Sequence, residues 1–251
     1  MEKLQVKNII FNEGAPKICI PLTGVNESQI LNEIESLHTV DFDLAEFRVD
    51  FFEYVDDFYK VKDLLLKIKE VYFKPLLFTF RTKKEGGVCD MSDEKYFELN
   101  YNAIESGLID LVDIELFSSE EEIKKIIKFA KEHQVKVIMS NHDFYKTPPK
   151  EEIVRRLLKM QEYGADITKI AVMPNSEEDV LTLLSATLEM KKEKGNKPCI
   201  TMSMGSLGVV TRLTGELFGS CMTFAAVKNS SAPGQVNVKY TREILNLLHS
   251  S

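Results

Sequence analysis

No apolar run in this sequence approaches the roughly 18 residues that a membrane-spanning helix requires, and the N-terminus, Met1-Glu-Lys-Leu-Gln-Val-Lys7, has no apolar signal core. There is also no basic cluster and no stretch in which aromatic and basic residues interleave. With Lys plus Arg at 32 and Asp plus Glu at 39, the net charge is −7. Nucleic acid and anionic membrane are thereby excluded as expected partners. The four cysteines, at 19, 89, 199 and 221, show no CxxC spacing, and two lie in the apolar runs Ile18-Cys19-Ile20 and Pro198-Cys199-Ile200. They read as buried thiols of a reducing compartment, not as a zinc site or a disulfide frame, so a cytoplasmic location is expected. No Pro/Gly/Ser linker or low-complexity tract divides the chain, which favours one domain over residues 1–251.

What is present is alternation. Apolar, β-rich runs at 17–21, 43–49, 76–81, 111–116, 135–140, 168–173, 199–203 and 221–225 are separated by amphipathic helical patterns. The helices are expected near 27–38, 57–71, 93–106, 119–133, 149–163, 176–193, 206–217 and 239–248. Eight such pairs in about 250 residues is the arithmetic of a (β/α)₈ TIM barrel, an α/β fold. A doubly wound open sheet shares the alternation but prefers fewer strands and a glycine-rich turn after the first. Here that turn is Pro21-Leu-Thr-Gly24-Val-Asn-Glu-Ser28, with one glycine, so no dinucleotide fingerprint is present. Residues 4–11, followed by Asn12-Glu-Gly14, read as a hairpin strand that closes the barrel bottom.

The chemistry begins at Lys169, in Asp166-Ile-Thr-Lys-Ile-Ala-Val-Met173, where an apolar strand carries an ammonium. An amine becomes a nucleophile only without its proton, a state that desolvation or a neighbouring cation favours, and it can then form a Schiff base with a ketone. Alternate strand residues face a barrel's lumen, and functional groups gather at the strands' carboxyl ends. This places Glu46 with Arg48, Thr79 with Arg81, and Asp113 with Glu115 on inward faces. Of the four histidines only His142 sits at a strand end, where an imidazole can take and return a proton near pH 7. Gly86-Gly87 would let the loop bend Glu85 back to hold the imidazole's tautomer.

Arginine is scarce, six against 26 lysines. Arg155, Arg156 and Arg242 lie on charged helical stretches, whereas Arg48, Arg81 and Arg212 stand at strand ends or in a Gly-flanked segment, where a planar fork recognises carboxylates or hydroxyls. Arg212, on the first turns of a helix after Gly205-Ser-Leu-Gly208, is a plausible partner for a substrate carboxylate. The small, polar stretch Lys228-Asn-Ser-Ser-Ala-Pro-Gly-Gln235 reads as a lid. Three other readings stand beside an imine-forming enzyme at this point: an aldolase or transaldolase using a barrel lysine, a barrel that only binds a small acid, and a divalent-metal site on Glu46, Asp113, Glu115 and His142. Three arginines and a lysine in the same space oppose the last.

Taken in order along nearly the whole chain, Glu46-Phe-Arg48, Phe78-Thr-Phe-Arg81 with Glu85-Gly-Gly87, Met139-Ser-Asn-His142-Asp143, Lys169-Ile-Ala-Val-Met-Pro174, Met202-Ser-Met-Gly205 through Arg212, and Ser231-Ala-Pro-Gly-Gln235 closely resemble type I 3-dehydroquinate dehydratase. The resemblance implies a TIM barrel that works as a homodimer in the shikimate pathway without metal or dissociable cofactor. It further implies an imine between Lys169 and 3-dehydroquinate, with His142 as the proton-transfer group oriented by Glu85. Arg212 would hold the carboxylate, Ser231 and Gln235 would close from the lid, and Glu46, Arg48 and Arg81 would bind ring hydroxyls. Two positions depart from the pattern. Pro21 replaces a frequent serine and offers no side-chain donor, and Phe47, outward by alternation, replaces a frequent tryptophan.

Overall fold

The N-terminal residues 4–11 do not form one strand. In the structure, a computed structural model that describes residues 1–227 and 231–250, the chain turns back at Lys7, whose φ is 48°. The result is an antiparallel hairpin of β1 (Leu4–Val6) and β2 (Ile9–Phe11), with Leu4 opposite Phe11. The turn thus falls inside the apolar segment.

The expected alternation follows. β3 (Lys17–Leu22), α1 (Glu27–Ser36), β4 (Leu44–Arg48), α2 (Phe58–Val71), β5 (Leu76–Thr79), α3 (Asp93–Glu105), β6 (Leu111–Glu115) and α4 (Glu120–Glu132) form the first half. β7 (Lys136–Asp143), α5 (Lys150–Tyr163), β8 (Ile167–Val172), α6 (Glu177–Glu189), β9 (Cys199–Ser203), α7 (Val209–Leu213), α8 (Gly215–Phe218), β10 (Met222–Ala226), β11 (Val236–Asn237) and α9 (Val238–His249) complete it. Several helices start on side-chain caps: Asn26, Asp57, Ser92, Ser176 and Asn237 each accept a bond from a first-turn N–H. The helix expected over 206–217 breaks in two at Thr214, because Gly208 and Gly215 weaken it and the Gly215 backbone packs against Ser220, where a Cβ would lie 2.8 Å from the Ser220 carbonyl oxygen.

Strands β3 to β9 pair in sequence order, all parallel, and β10 pairs with β3. Between β9 and β10 the ladder is reduced to a bridge from Cys199 to Ser220, where the Cys221 N–H donates to the Cys199 carbonyl at 2.8 Å and the Ser220 hydroxyl accepts from the Thr201 N–H at 3.0 Å. Those contacts close the barrel. Pro21 is tolerated in β3 because its missing N–H falls on the β10 side, where pairing has already ended at Phe224 opposite Cys19.

Two apolar layers result from strand alternation. Outward residues such as Ala45, Phe47, Phe78, Val112 and Ile170 pack under the helices, with Phe47 edge-on to Phe78 at 5.9 Å. Inward residues Cys19, Leu44, Leu77, Leu111, Ile138, Ile167, Ile200 and Met222 fill the lower lumen together with Val6, Ile9 and Phe11 of the hairpin. The hairpin therefore closes the bottom with apolar side chains. Above this plug, every inward position on β4 to β8 except Ala171 is polar.

Candidate active site

Each strand stacks its inward residues above the apolar plug. Glu46, Thr79, Asp113, Ser140 and Lys169 are the first such residues on their own strands, and Arg48, Glu115, His142 and Ala171 the next; the register sets Ser140 beside Lys169 and His142 beside Ala171. Lys169 is 3% exposed. Its Nζ lies 3.2 Å from Asp113 Oδ2 and 3.8 Å from Glu46 Oε1, and 4.6 Å above the Phe224 ring. The depth suggested by its position in β8 is real, yet Lys169 still lines the cavity at the mouth. Burial alone would raise the Asp113 carboxyl, but Arg81 and Lys169 outweigh it and hold the group below the ordinary carboxylate range.

β7 runs three residues past its expected end, so His142 belongs to the strand itself. Its Nδ1 is 2.9 Å from Glu85 Oε2, which also accepts the His142 backbone N–H at 2.9 Å, while Glu85 Oε1 accepts from Asn141 Nδ2 at 3.0 Å. Glu85 reaches this place because a short 3₁₀ turn over Lys83–Glu85 folds back on Gly86, whose φ is 89°. A Cβ at Gly86 would stand 2.2 Å from the Phe144 ring, so both conformation and space require glycine. Burial, reinforced by Glu115, pushes the Glu85 carboxyl up to about 8. Burial and the charges of Arg81, Lys169 and Arg48 push the His142 imidazolium well below its ordinary range. Both effects remove charge from the pair, leaving a neutral imidazole beside the amine-bearing strand.

The three arginines differ in what holds them. Arg48 makes a two-pronged bond to Asp50, Nε to Oδ1 and Nη2 to Oδ2, both at 2.8 Å. Arg81 spends Nη1 on Glu115 at 2.8 Å and Ser140 at 3.0 Å, and Nη2 on Asp113 at 2.8 Å. Arg212 has no carboxylate among the described residues. It is 2% exposed, donates from Nη2 to the Pro233 carbonyl at 2.9 Å, rests Nη1 on Met202 Sδ at 3.4 Å, and leaves Nε without a partner. Burial without an anion pulls its guanidinium down to about 10. A buried cation in that condition is a site for an anionic group.

One cavity gathers Lys169, His142, Glu85, Glu46, Arg48, Arg81, Arg212, Ser231 and Gln235. All nine residues singled out in the sequence line it; Pro21 does not. Ser231 and Gln235 bond to each other, the Ser231 N–H to Gln235 Oε1 and Gln235 Nε2 to Ser231 Oγ, both at 2.9 Å. Of the expected lid, residues 228–230 lie outside the described residues. Phe144 and Phe224 also line the cavity, with no role anticipated for either. Asp50, Asn141 and Arg156 were also missed. Arg156, read as a helix-surface charge, donates from Nη1 to Asn141 Oδ1 at 2.8 Å. No cluster of three His, Cys, Asp or Glu side chains with metal-binding geometry occurs among the described residues.

Comparison with known proteins agrees with this geometry. The family model described as type I 3-dehydroquinase matches residues 18–251. A 3-dehydroquinate dehydratase of Listeria monocytogenes is 54% identical over 250 residues, covering 99% of both chains. One of Clostridium novyi is 53% identical over 251 residues, covering 100% of this chain and 99% of its own. The crystal structure of the type I 3-dehydroquinate dehydratase of Clostridium difficile, with covalently modified comenic acid, superposes with a TM-score of 0.96 at 50% identity, covering 100% of this chain and 98% of that one. The chain belongs to the type I 3-dehydroquinase family, the Schiff-base-forming lyases that dehydrate 3-dehydroquinate to 3-dehydroshikimate in the shikimate pathway.

Proposed function

We propose that this chain carries out that dehydration through an imine on Lys169. A single observation bears most of the weight: a buried guanidinium without an acid among the described residues, a lysine and an uncharged imidazole face one cavity. Arg212 takes the substrate carboxylate, since Arg48 and Arg81 are already matched to Asp50, Asp113 and Glu115. The C3 ketone then meets the Lys169 amine, and loss of water gives a protonated imine. His142, one layer above on the neighbouring strand, takes a proton from C2, and the electron pair flows into the iminium to give an enamine. The same imidazole returns its proton to the C1 hydroxyl, which departs as water, and hydrolysis of the conjugated imine releases the product and the amine. A cationic nitrogen stabilises the developing carbanion far better than a ketone oxygen does, which is the reason for covalent catalysis here.

In this reading Glu85 orients His142, Glu46, Arg48 and Arg81 bind ring hydroxyls, and Ser231 with Gln235 covers the substrate. Their presence on the wall of the same cavity supports those roles. The reading also takes residues 1–251 as one domain working as a cytoplasmic homodimer. Four cysteines without disulfides, and the lack of any helix among the described residues that is long and apolar enough to cross a membrane, are consistent with it.

Borohydride trapping with 3-dehydroquinate tests the mechanism. A mass gain on the Lys169 peptide is expected in the unsubstituted protein and in His142→Ala, which should turn over about 10²- to 10⁴-fold more slowly. Lys169→Ala should lose both adduct and turnover. An active Lys169→Ala protein refutes the assignment.

A further inference from the structure

A chain of contacts leads from the outer surface of the barrel to His142. On α5, Arg156 is held by Glu152, Nε to Oε1 at 2.7 Å, with its guanidinium 5.2 Å from the centre of the Phe117 ring. From there it donates to Asn141 Oδ1 at 2.8 Å, Asn141 Nδ2 donates to Glu85 Oε1 at 3.0 Å, and Glu85 Oε2 meets His142 Nδ1 at 2.9 Å. An amide side chain has two nearly isosteric ends, and only its partners decide which faces where. Here Arg156 has donors and no acceptor, so it must take the oxygen of Asn141. The NH₂ is thereby left for Glu85. We propose that Arg156, with Asn141 as its intermediary, is a positioning residue that biases Glu85 toward its ionised, accepting state and thereby tunes the orientation and basicity of His142. This rests on the proposed roles of Glu85 and His142.

The groups around Glu85 make its state sensitive to this one bond. Glu115 and Asp113, from β6, oppose its ionisation, while Arg81, 3.7 Å away from the end of β5, and the Asn141 amide favour it. His142 accounts for the remaining oxygen. If Arg156 is absent, Asn141 can rotate and present its oxygen to Glu85, which favours the protonated carboxyl. That form accepts the Nδ1–H only through a neutral carbonyl oxygen, which stabilises the imidazolium less than a carboxylate does.

Arg156→Met keeps the apolar stem near Phe117 but removes the fork, and Arg156→Lys restores one donor. Both variants are compared with the unsubstituted enzyme and Glu85→Gln, following kcat against pH, borohydride adduct on Lys169 and thermal midpoint. In Arg156→Met, kcat near neutral pH should fall about tenfold, its acid limb should move to higher pH by about one unit, and adduct formation should persist. Arg156→Lys should recover most of kcat and the original limb. A pH profile in Arg156→Met that superimposes on the unsubstituted enzyme overturns the inference, and so does equal impairment of Arg156→Lys and Arg156→Met at equal thermal midpoint. If Glu85→Gln alters the profile in that case, the Glu85–His142 pair stands without the relay; if it does not, both fall.

Discussion

Arg212→Met is the most discriminating single substitution, because the structure requires it to act in opposite directions on stability and on activity. Burial lowers this guanidinium from its ordinary range to about 10, and no acid among the described residues compensates it. At about 1.4 kcal/mol per pH unit, that corresponds to roughly 3 kcal/mol of unrelieved desolvation in the free protein. Methionine fills the stem's space without the charge, forfeiting mainly the bond to the Pro233 carbonyl, a charged-donor bond worth about 1.5 kcal/mol. The net expectation is a gain of about 1–2 kcal/mol, or a thermal midpoint raised by roughly 2–8 °C. With substrate the sign reverses. Losing the cation opposite a buried carboxylate costs about 2–5 kcal/mol, so kcat/KM should drop about 30- to 4,000-fold. Since the carboxylate is held equally before and during reaction, the loss should appear mainly in KM, with borohydride adduct still formed at high substrate. Calorimetry without ligand and steady-state kinetics measure the two effects. A lowered midpoint together with kcat/KM within about threefold of the unsubstituted value would show Arg212 to be a structural residue and would refute this reasoning.

Asp50→Asn should release the Arg48 fork, which now rests on both carboxylate oxygens. A substrate titration is expected to show kcat/KM reduced about 5- to 30-fold, corresponding to about 1–2 kcal/mol, and an unchanged value would mean that Arg48 needs no such support. Glu85 predicts a pH effect on stability. Its carboxyl is near 8 in the folded chain against an ordinary 4.5, so the folded state holds the extra proton between those values. The resulting stabilisation is complete below about 4.5 and is lost as pH rises through about 8. His142, depressed below 6.5, works the other way, but only below that value. From pH 6.5 upward the thermal midpoint should therefore decline through Glu85, and Glu85→Gln should flatten the decline. Identical slopes would contradict the assignment.

Much of this molecule is visible in the order of its residues because a parallel barrel makes strong local demands. Each inner strand is buried on both faces, so its apolar run stands out, and the side-chain period of two assigns Lys169, Glu46 and Arg81 to the lumen without further information. The N-terminal hairpin is expected from the sequence, but with its turn at Asn12-Glu-Gly14, where the stronger turn signal stands, and not at Lys7-Asn8, inside the short apolar segment. β11 escaped because two residues, Val236 and Asn237, are too few to carry a period. At the site, residues were legible where charge met a strand end. The partners of those residues were not: Asn141 and Glu85 are separated by 56 positions, and nothing local marks Asp50 or Arg156 as reaching anything in particular. Charge on a helix says that it is solvated, and only the fold shows that one guanidinium reaches inward.

The carboxylates beside Lys169 acquire another meaning when the proposed reaction is followed as a charge inventory. Asp113 and Glu46 lie against the Lys169 nitrogen in the free protein. They face a cation when the imine is protonated, at nearly the same place. The lumen below the substrate therefore already holds two acids where the positive charge of the iminium develops, so its dipoles need not reorganise as that charge forms. The enamine, formed after the C2 proton has moved to His142, leaves the two acids facing a neutral nitrogen, and at that moment the positive charge stands one layer higher, on the imidazole paired with Glu85. Charge thus climbs the barrel by one rung and returns when the hydroxyl departs, with Asp113 and Glu46 at the lower level and Glu85 at the upper one.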